Sequence, residues 1–381
     1  MKKLLCILLF AVTAKVQAAG LITSHVDIRF DYAPTGWSCF LQYGESFNEP
    51  DIQADPETVS LPARDFLTTA GGDRLTQPSN PTFAFTGAQV GAPLWNLPQS
   101  NRGYTWPGFD NRQNPSVFLS YLNSDPRVNN TINAKWWRVQ LLDVDYSGEA
   151  TITPRFSLWQ TGSGGAPTVW MATSDGITTQ DAYFTTEGSH SHMNWGFTQL
   201  GIYRITFRAS AFLAANSSLV ESDAHAITFA IGTLATWRAS HFAGLDLLDA
   251  NVGVPMADPD GDGQKNIIEY AFNMNPNMAS LATMIAGTGI SGLPLVKMEN
   301  VGGQDRLTIE FVRRKSNTNP QITYHPEFSS TLQTGDWQSA GTSSVTSLDT
   351  TWERVKITDS VAANGRRFGR VRILIQPTIS Y

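Results

Sequence analysis

One twelve-residue segment, 258–269, constrains this 381-residue chain more than any other part of it. Asp258, Asp260 and Asp262 occupy its first, third and fifth positions, Gly263 is sixth and Glu269 is twelfth. Alternate carboxylates can turn inward together only if the chain folds back sharply, and the glycine permits that turn. This spacing surrounds a calcium ion with oxygen ligands. The segment therefore predicts an EF-hand-like calcium loop.

Two more positions complete the predicted ligand set of this loop. The backbone carbonyl of Gln264 is expected to be a ligand, and Asn266 stands where a residue usually reaches the ion through water. The other interpretation is a solvated acidic turn of the Asp-Gly type. Six matching positions in one window favour calcium. Lys265 replaces the apolar residue usual in paired EF-hands, which favours a lone loop over a paired sensor.

On both sides of this loop, apolar and polar residues alternate with the period of β-strands. The clearest run is 202–211, and four further runs near the C-terminus predict a small β-sandwich. The predicted fold class is all-β, with two β-sandwich domains joined by a short helical segment that carries the calcium loop. The expected boundaries are 20–232 for the first sandwich, 233–277 for the helical segment, 278–291 for a linker and 292–381 for the second sandwich.

The first nineteen residues indicate export. Lys2 and Lys3 precede the apolar run 4–12, and small residues at 18–19 offer a cleavage site, which is typical of a signal peptide. The run is shorter than the roughly 20 apolar residues of a membrane span, and Lys15 follows it closely. The mature chain would keep Cys39 as its only cysteine and have no internal disulfide. We expect a secreted or cell-surface protein without a transmembrane segment.

The net charge of −6 leaves no basic surface of the kind that binds a phosphate backbone, so nucleic acid is not an expected partner. No Gly-x-Ser-x-Gly, His-Glu-x-x-His, phosphate-binding glycine loop or dinucleotide motif occurs in the sequence. No catalytic residue is assigned from the sequence. Aromatic residues Tyr104, Trp106 and Phe109 predict either a sugar-stacking platform or a cover for the open end of the sandwich.

Three motifs suggest a family. They are His-Val-Asp-Ile at 25–28, Leu-Trp-Asn-Leu-Pro-Gln at 94–99 and Ser-His-Ser-His-Met-Asn-Trp-Gly-Phe-Thr at 189–198. In these motifs the region 20–232 resembles bacterial exported proteins that share the choice-of-anchor M domain, a surface-anchored domain linked in related proteins to actinobacterial wall repeats. The resemblance implies a β-rich surface or secreted protein, and some relatives are thought to accompany metal-uptake transporters.

The chain departs from this family at one point, and a second resemblance covers the region that follows. Where relatives often carry further histidines after the first strand, this chain has Cys-Phe-Leu-Gln-Tyr at 39–43. The region 237–277 resembles the EF-hand or thrombospondin type-3-like calcium tail that precedes a C-terminal sandwich in exported bacterial proteins.

His190 and His192 are two residues apart, so an extended chain points both imidazoles to one face, which is half of a site for zinc or another transition metal. The shared motif makes His25 the expected third ligand, with Asp27 or Glu187 as carboxylate alternatives. The other interpretation is that both histidines bond to loop backbone.

Two functions remain open from the sequence. The first is a non-catalytic binding or adhesion protein whose partner is an extracellular ligand or a component of the cell envelope. The alternative is a metal-dependent extracellular hydrolase that uses His190 and His192.

Overall fold

The computed structural model describes residues 20–44, 52–112, 116–119, 127 and 136–376. Within these ranges the chain forms 24 strands, β1 to β24 in chain order, and two short α-helices. Strands make up 47% of the structure and helical turns 11%, which confirms the predicted all-β class. No helix in the described ranges is long and apolar enough to cross a membrane. The predicted signal peptide lies outside the described residues.

Three sheets build the N-terminal region. The first contains Gly20–Leu21 (β1), Val59–Ala63 (β5), Phe118–Leu119 (β9), Trp136–Ser147 (β10), Ala182–Thr186 (β13), Gly201–Leu213 (β16), Leu219–Glu221 (β17) and His225–Ile231 (β18). Their order is β1-β5-β18-β16-β10-β13, and β9 and β17 also pair with β16.

The second sheet contains Arg74–Thr76 (β6), Pro93–Leu97 (β7), Phe156–Thr161 (β11), Pro167–Ala172 (β12) and Asn194–Phe197 (β15), in the order β12-β11-β15-β7-β6. The third sheet contains His25–Ala33 (β2), Gly36–Gly44 (β3), Ile52–Ala54 (β4), Trp106–Asp110 (β8) and His190–His192 (β14). Its order is β14-β8-β2-β3-β4, so β8 lies between the two strands that carry the predicted histidines.

One hydrophobic core joins these three sheets. Along β16, the side chains of Tyr203, Ile205 and Phe207 are fully buried and alternate with half-buried polar residues. On β2, Val26 and Ile28 belong to the same core. Because side chains alternate along a strand, the odd-numbered residues of β2 point to the opposite face, where His25 and Asp27 lie.

The helical segment contains α1, Thr233–Ala239, and α2, Asn266–Ala271. Arg238 of α1 is buried and donates hydrogen bonds to the carbonyl oxygens of Ser147, at 3.0 Å, and Gly253, at 2.6 Å. These bonds tie α1 both to β10 and to the chain ahead of the calcium loop. Short 3-10 helices occur at Thr68–Ala70, Pro81–Thr86, Thr173–Asp175, Gly244–Leu247, Ser316–Thr318 and Thr334–Asp336.

The C-terminal region has a four-stranded sheet and a two-stranded sheet around a second core. The strands of the larger sheet are Leu295–Val301 (β19), Gln304–Arg314 (β20), Gly341–Ser347 (β22) and Trp352–Ala362 (β23), and those of the smaller are Ile322–Ser329 (β21) and Phe368–Ile375 (β24). Leu234, Tyr270 and Met284 are buried in this core. The helical segment and the predicted linker therefore pack on the C-terminal sheets.

Candidate metal centres

The third sheet brings the predicted histidines together across β8. In its register, His192 and Asp27 both lie opposite Gly108, one on each side, while His25 lies opposite Trp106. Neighbouring strands are about 4.8 Å apart, so side chains from β14 and β2 must reach over β8 to meet. A Cβ atom at position 108 would lie 2.7 Å from Nδ1 of His192. The absence of a side chain on Gly108 therefore provides the space for the cluster.

Four side chains converge above Gly108. His25, His190, His192 and Asp27 each offer one ligand atom, and these atoms all lie within 4.8 Å of one another. Nε2 of His25 is 3.2 Å from Nε2 of His192, and Oδ1 of Asp27 is 2.9 Å from Nε2 of His190.

Oδ1 of Asp27 also lies 3.5 Å from Nε2 of His25 and 3.9 Å from Nε2 of His192. Two nitrogens that bind one tetrahedral zinc ion at about 2.0–2.1 Å are about 3.3 Å apart. The observed spacings therefore match the size of a tetrahedral site. We call these four residues the His/Asp centre.

Burial favours the neutral form of two histidines of the centre, His25 and His192. Burial lowers the pKa of His25 and brings the pKa of His192 down to about 4, although the carboxylate of Asp27 acts in the opposite direction on both. Neutral imidazole is the form that coordinates a metal ion. The side chain of Asp27 is only 1% exposed, and its Oδ2 atom has no hydrogen-bond partner. A cation would satisfy this buried oxygen.

Surrounding residues hold the His192 ring in place. Trp106 stacks on this ring with the centroids 3.6 Å apart and the planes 12° from parallel. The indole nitrogen of Trp106 donates to the carbonyl oxygen of Gln99 at 3.0 Å, and the amide of Gln160 donates to the carbonyl oxygen of His192 at 3.2 Å. Such outer contacts orient metal-ligating side chains.

The acidic loop forms the second candidate site. Carboxylate oxygens of Asp258, Asp260 and Asp262 lie within 4.8 Å of one another. Both oxygens of Asp258 accept backbone hydrogen bonds, from Gly261 at 3.1 Å and Gly263 at 3.0 Å. These glycines have φ angles of 74° and 91°, which side chains rarely allow. The loop therefore curls as the sequence predicts.

Glu269 and Asn266 belong to α2, and Glu269 lies outside the group formed by the three aspartates, although the charges of all three act on it. Glu269 is fully buried and neither of its carboxylate oxygens has a hydrogen-bond partner. Burial, followed by the charge of Asp260, raises the pKa of Glu269 to about 8.

The amide nitrogen of Asn266 donates to the carbonyl oxygens of Val252, at 2.7 Å, and Val254, at 2.9 Å. The Oδ1 atom of the same side chain is buried and has no hydrogen-bond partner. Gln264 lies two residues after Asp262 in the loop and donates its backbone N–H to that carboxylate at 2.7 Å. Buried oxygens with no donor are the groups that a calcium ion would satisfy.

The remaining predicted site residues lie elsewhere. Glu187 is not part of the His/Asp centre, so Asp27 is the carboxylate that the structure supplies. Phe109 is buried in the first core, whereas Trp106 covers His192, so these two rings do not form a surface platform. The contact of Trp106 with His192 was not predicted; Trp106 and Gly108 are two residues apart on β8 and therefore share the face on which His192 lies. No third group of metal-ligating side chains occurs in the ranges that the structure describes.

No family model matches the sequence, and no curated protein matches it. The resemblance to the choice-of-anchor M domain therefore stays a prediction, resting on the motifs at 25–28, 94–99 and 189–198.

Proposed function

We propose that this protein is a secreted or cell-surface, non-catalytic binding protein that captures zinc or another transition metal ion at the His/Asp centre. The observation that carries this proposal is the convergence of three imidazole nitrogens and one carboxylate oxygen within 4.8 Å. Calcium at 258–269 would stabilise the joint between the two strand-rich regions. The metal ion would serve either as the ligand itself or as the link to a component of the cell envelope.

The number of ligands favours binding over catalysis. Structural zinc sites are closed by four protein ligands, whereas catalytic sites combine three with an open position for water or substrate. Four side chains of the His/Asp centre are available, which fills a tetrahedral shell. Their side chains are 1–17% exposed, so the centre lies close enough to the surface for an ion to reach it.

Support for an extracellular role comes from the N-terminal sequence and from the loop. The predicted signal peptide would export the chain, and calcium sites are used widely to stabilise extracellular modules. With one cysteine left in the mature chain, a metal ion would take over the stabilising role that disulfides have in many exported proteins.

Metal content tests the proposal. The mature protein is stripped with a chelator, loaded with zinc and dialysed, and the bound zinc is measured by elemental analysis. We expect one zinc ion per chain in the wild type and none in the double variant His190→Ala, His192→Ala. The matched control is His225→Ala, because His225 lies on β18, outside the centre. Loss of zinc in the control, or its retention in the double variant, would contradict the proposal.

A substrate panel separates binding from hydrolysis. Glycan, peptide and ester substrates are incubated with the protein loaded with calcium and zinc, and we expect no turnover. Turnover that disappears in the double histidine variant while folding persists would instead support the metal-dependent hydrolase.

A further inference from the structure

A cleft of about 300 Å³ lies where the N-terminal sheets, α1 and the C-terminal sheets meet, away from both candidate metal sites. Its walls include Arg64, Phe66, Tyr104, Trp237, Ser240 and Arg314. The volume is at the lower end of the range of about 300–1,000 Å³ typical of small-molecule sites. The cleft therefore has room for a ligand of roughly the size of one sugar ring.

Hydrogen bonds across the joint fix the walls of this cleft relative to one another. The hydroxyl of Thr233 donates to the carbonyl oxygen of Thr318 at 2.9 Å, and the backbone N–H of Leu234 donates to the side-chain oxygen of Gln321 at 3.1 Å. The amide of Asn319 donates to the carbonyl oxygen of Asp65. The C-terminal wall is thus attached both to α1 and to the N-terminal sheets, so the cleft is preformed.

Arg314 is the unusual residue of the cleft. Its guanidinium lies 3.9 Å from the ring centroid of Tyr270 and 4.4 Å from that of Trp352, and its Nε donates to the carbonyl oxygen of Tyr270 at 3.1 Å. Among the described residues, no carboxylate lies within ion-pair distance of Arg314, and its two terminal nitrogens have no hydrogen-bond acceptor. This edge of a guanidinium matches a carboxylate through two parallel hydrogen bonds.

The other charged groups of the cleft are already paired. Arg64 donates to both carboxylate oxygens of Asp73 at 3.1 Å, and its guanidinium covers one face of Tyr104. Asp65 accepts from the indole of Trp95 at 2.9 Å and from Arg74 at 3.0 Å. Within the described part of the chain, Arg314 therefore gives the cleft one uncompensated positive charge.

We propose that this cleft binds a carboxylate-bearing sugar of the uronic acid class. The carboxylate pairs with the terminal nitrogens of Arg314, the ring lies along the half-buried aromatic wall formed by Tyr104 and Trp237, and the sugar hydroxyls face the polar rim near Ser240. A sugar fits better than a wholly apolar anion because both aromatic rings and polar groups line the cleft. The proposal does not depend on metal at either candidate site.

Calorimetric titration of the mature protein with glucuronate tests the proposal, with glucose, benzoate and inorganic phosphate as comparison ligands. We expect glucuronate to bind saturably. Glucose should bind about tenfold more weakly or worse, because it has no carboxylate to make charge-assisted hydrogen bonds with Arg314. Benzoate and phosphate should also bind at least about tenfold more weakly. Equal or tighter binding of any comparison ligand would overturn the assignment, as would no binding of glucuronate.

Variants locate the binding. Arg314→Met should abolish glucuronate binding, whereas Arg313→Met is the matched control, since Arg313 is the preceding residue on β20 and pairs with Glu353 at 2.7 Å. Because Arg314 also packs on Tyr270, a second variant, Ser240→Trp, fills the cleft from an exposed position. Thermal unfolding confirms that each variant is folded. Wild-type affinity in a folded Ser240→Trp protein, or equal losses in both arginine variants, would contradict the proposal.

Discussion

The His/Asp centre and the acidic loop differ in how the protein holds their candidate ligands in place. In the centre, the residues of 25–27 and 190–192 lie on hydrogen-bonded strands and already contact one another. For example, Nε2 of His25 is 3.2 Å from Nε2 of His192. In the loop, the oxygens come from twelve consecutive residues, and both carboxylate oxygens of buried Glu269 have no partner. A sheet can hold metal ligands in place without the ion. The loop instead leaves the buried carboxylate of Glu269 for an ion to satisfy.

The largest expected effect is therefore the response of stability to calcium. Removing calcium with a chelator should lower the melting temperature, because an ion bound only to the folded state at about 1,000 times its Kd stabilises by about 4 kcal/mol. Removing the transition metal should also lower the melting temperature, by an amount that its own ratio of free ion to Kd sets, but the strands of the centre should stay paired because their backbone hydrogen bonds do not need the ion. Scanning calorimetry of the same preparation under both treatments measures the difference.

Asp260→Ala should reproduce the effect of calcium removal. Asp249→Ala is the matched control, because Asp249 and Asp260 each accept a hydrogen bond from the backbone N–H two residues ahead, but Asp249 lies outside the loop. If chelation leaves the melting curve unchanged and no calcium is retained after dialysis, the loop does not bind calcium.

A smaller effect, with a change of sign, is expected for Glu269→Gln. The raised pKa of Glu269, about 8, means that the metal-free folded protein loses stability as pH rises from about 4.5 towards 8, since the unfolded chain ionises first. At pH 7.5 without calcium, Glu269→Gln should therefore be more stable than the wild type, by less than the roughly 4 kcal/mol that this raised pKa carries at that pH, because the buried glutamine amide would also lack partners. With calcium it should be less stable, because glutamine supplies no charge to the ion.

Denaturant unfolding at pH 7.5, with and without calcium, measures this crossover. Glu149→Gln, at an exposed position, is the control. It should change the free energy of unfolding by no more than about 0.5 kcal/mol, either with or without calcium. The same order of stability for wild type and Glu269→Gln in both conditions would show that Glu269 does not face the ion.

The smallest effect tests whether the sheet itself shapes the His/Asp centre. In Gly108→Ala, the new methyl group would lie 2.7 Å from Nδ1 of His192, so the ring must shift and zinc affinity should fall about tenfold. Gly162→Ala is the control, since nothing lies within 4 Å of a Cβ atom there. Competition with a zinc-binding dye measures the zinc affinity of both variants. Unchanged zinc affinity in Gly108→Ala would place the metal site elsewhere.

The same contrast explains what could be predicted from the sequence. Every candidate ligand of the loop is local, so spacing alone predicts Asp258, Asp260, Asp262 and Glu269, and the structure brings the three aspartates together. The His/Asp centre depends on strand register, so the sequence predicted His25, His190 and His192 but left Asp27 and Glu187 as the carboxylate alternatives. Only the pairing of β8 with both β2 and β14 selects Asp27.

Strand prediction succeeded and failed for related reasons. The long alternating run 202–211 corresponds to β16, Gly201–Leu213, which has the core on one side. The four predicted C-terminal runs correspond to β20, β21, β23 and β24. By contrast, β22, Gly341–Ser347, is exposed at every position and is held by backbone pairing with β23 alone, so no alternation marks it.

Anomalous diffraction from crystals of the mature protein grown with zinc and calcium tests the central claim most directly. We predict one zinc peak bonded at about 2.0–2.1 Å to Nε2 of His25, His190 and His192 and to a carboxylate oxygen of Asp27. A separate calcium peak should lie at about 2.3–2.6 Å from oxygens of the 258–269 loop. A zinc ion bound away from the histidines, or a water molecule in place of the Asp27 oxygen, would contradict a closed metal-capture centre.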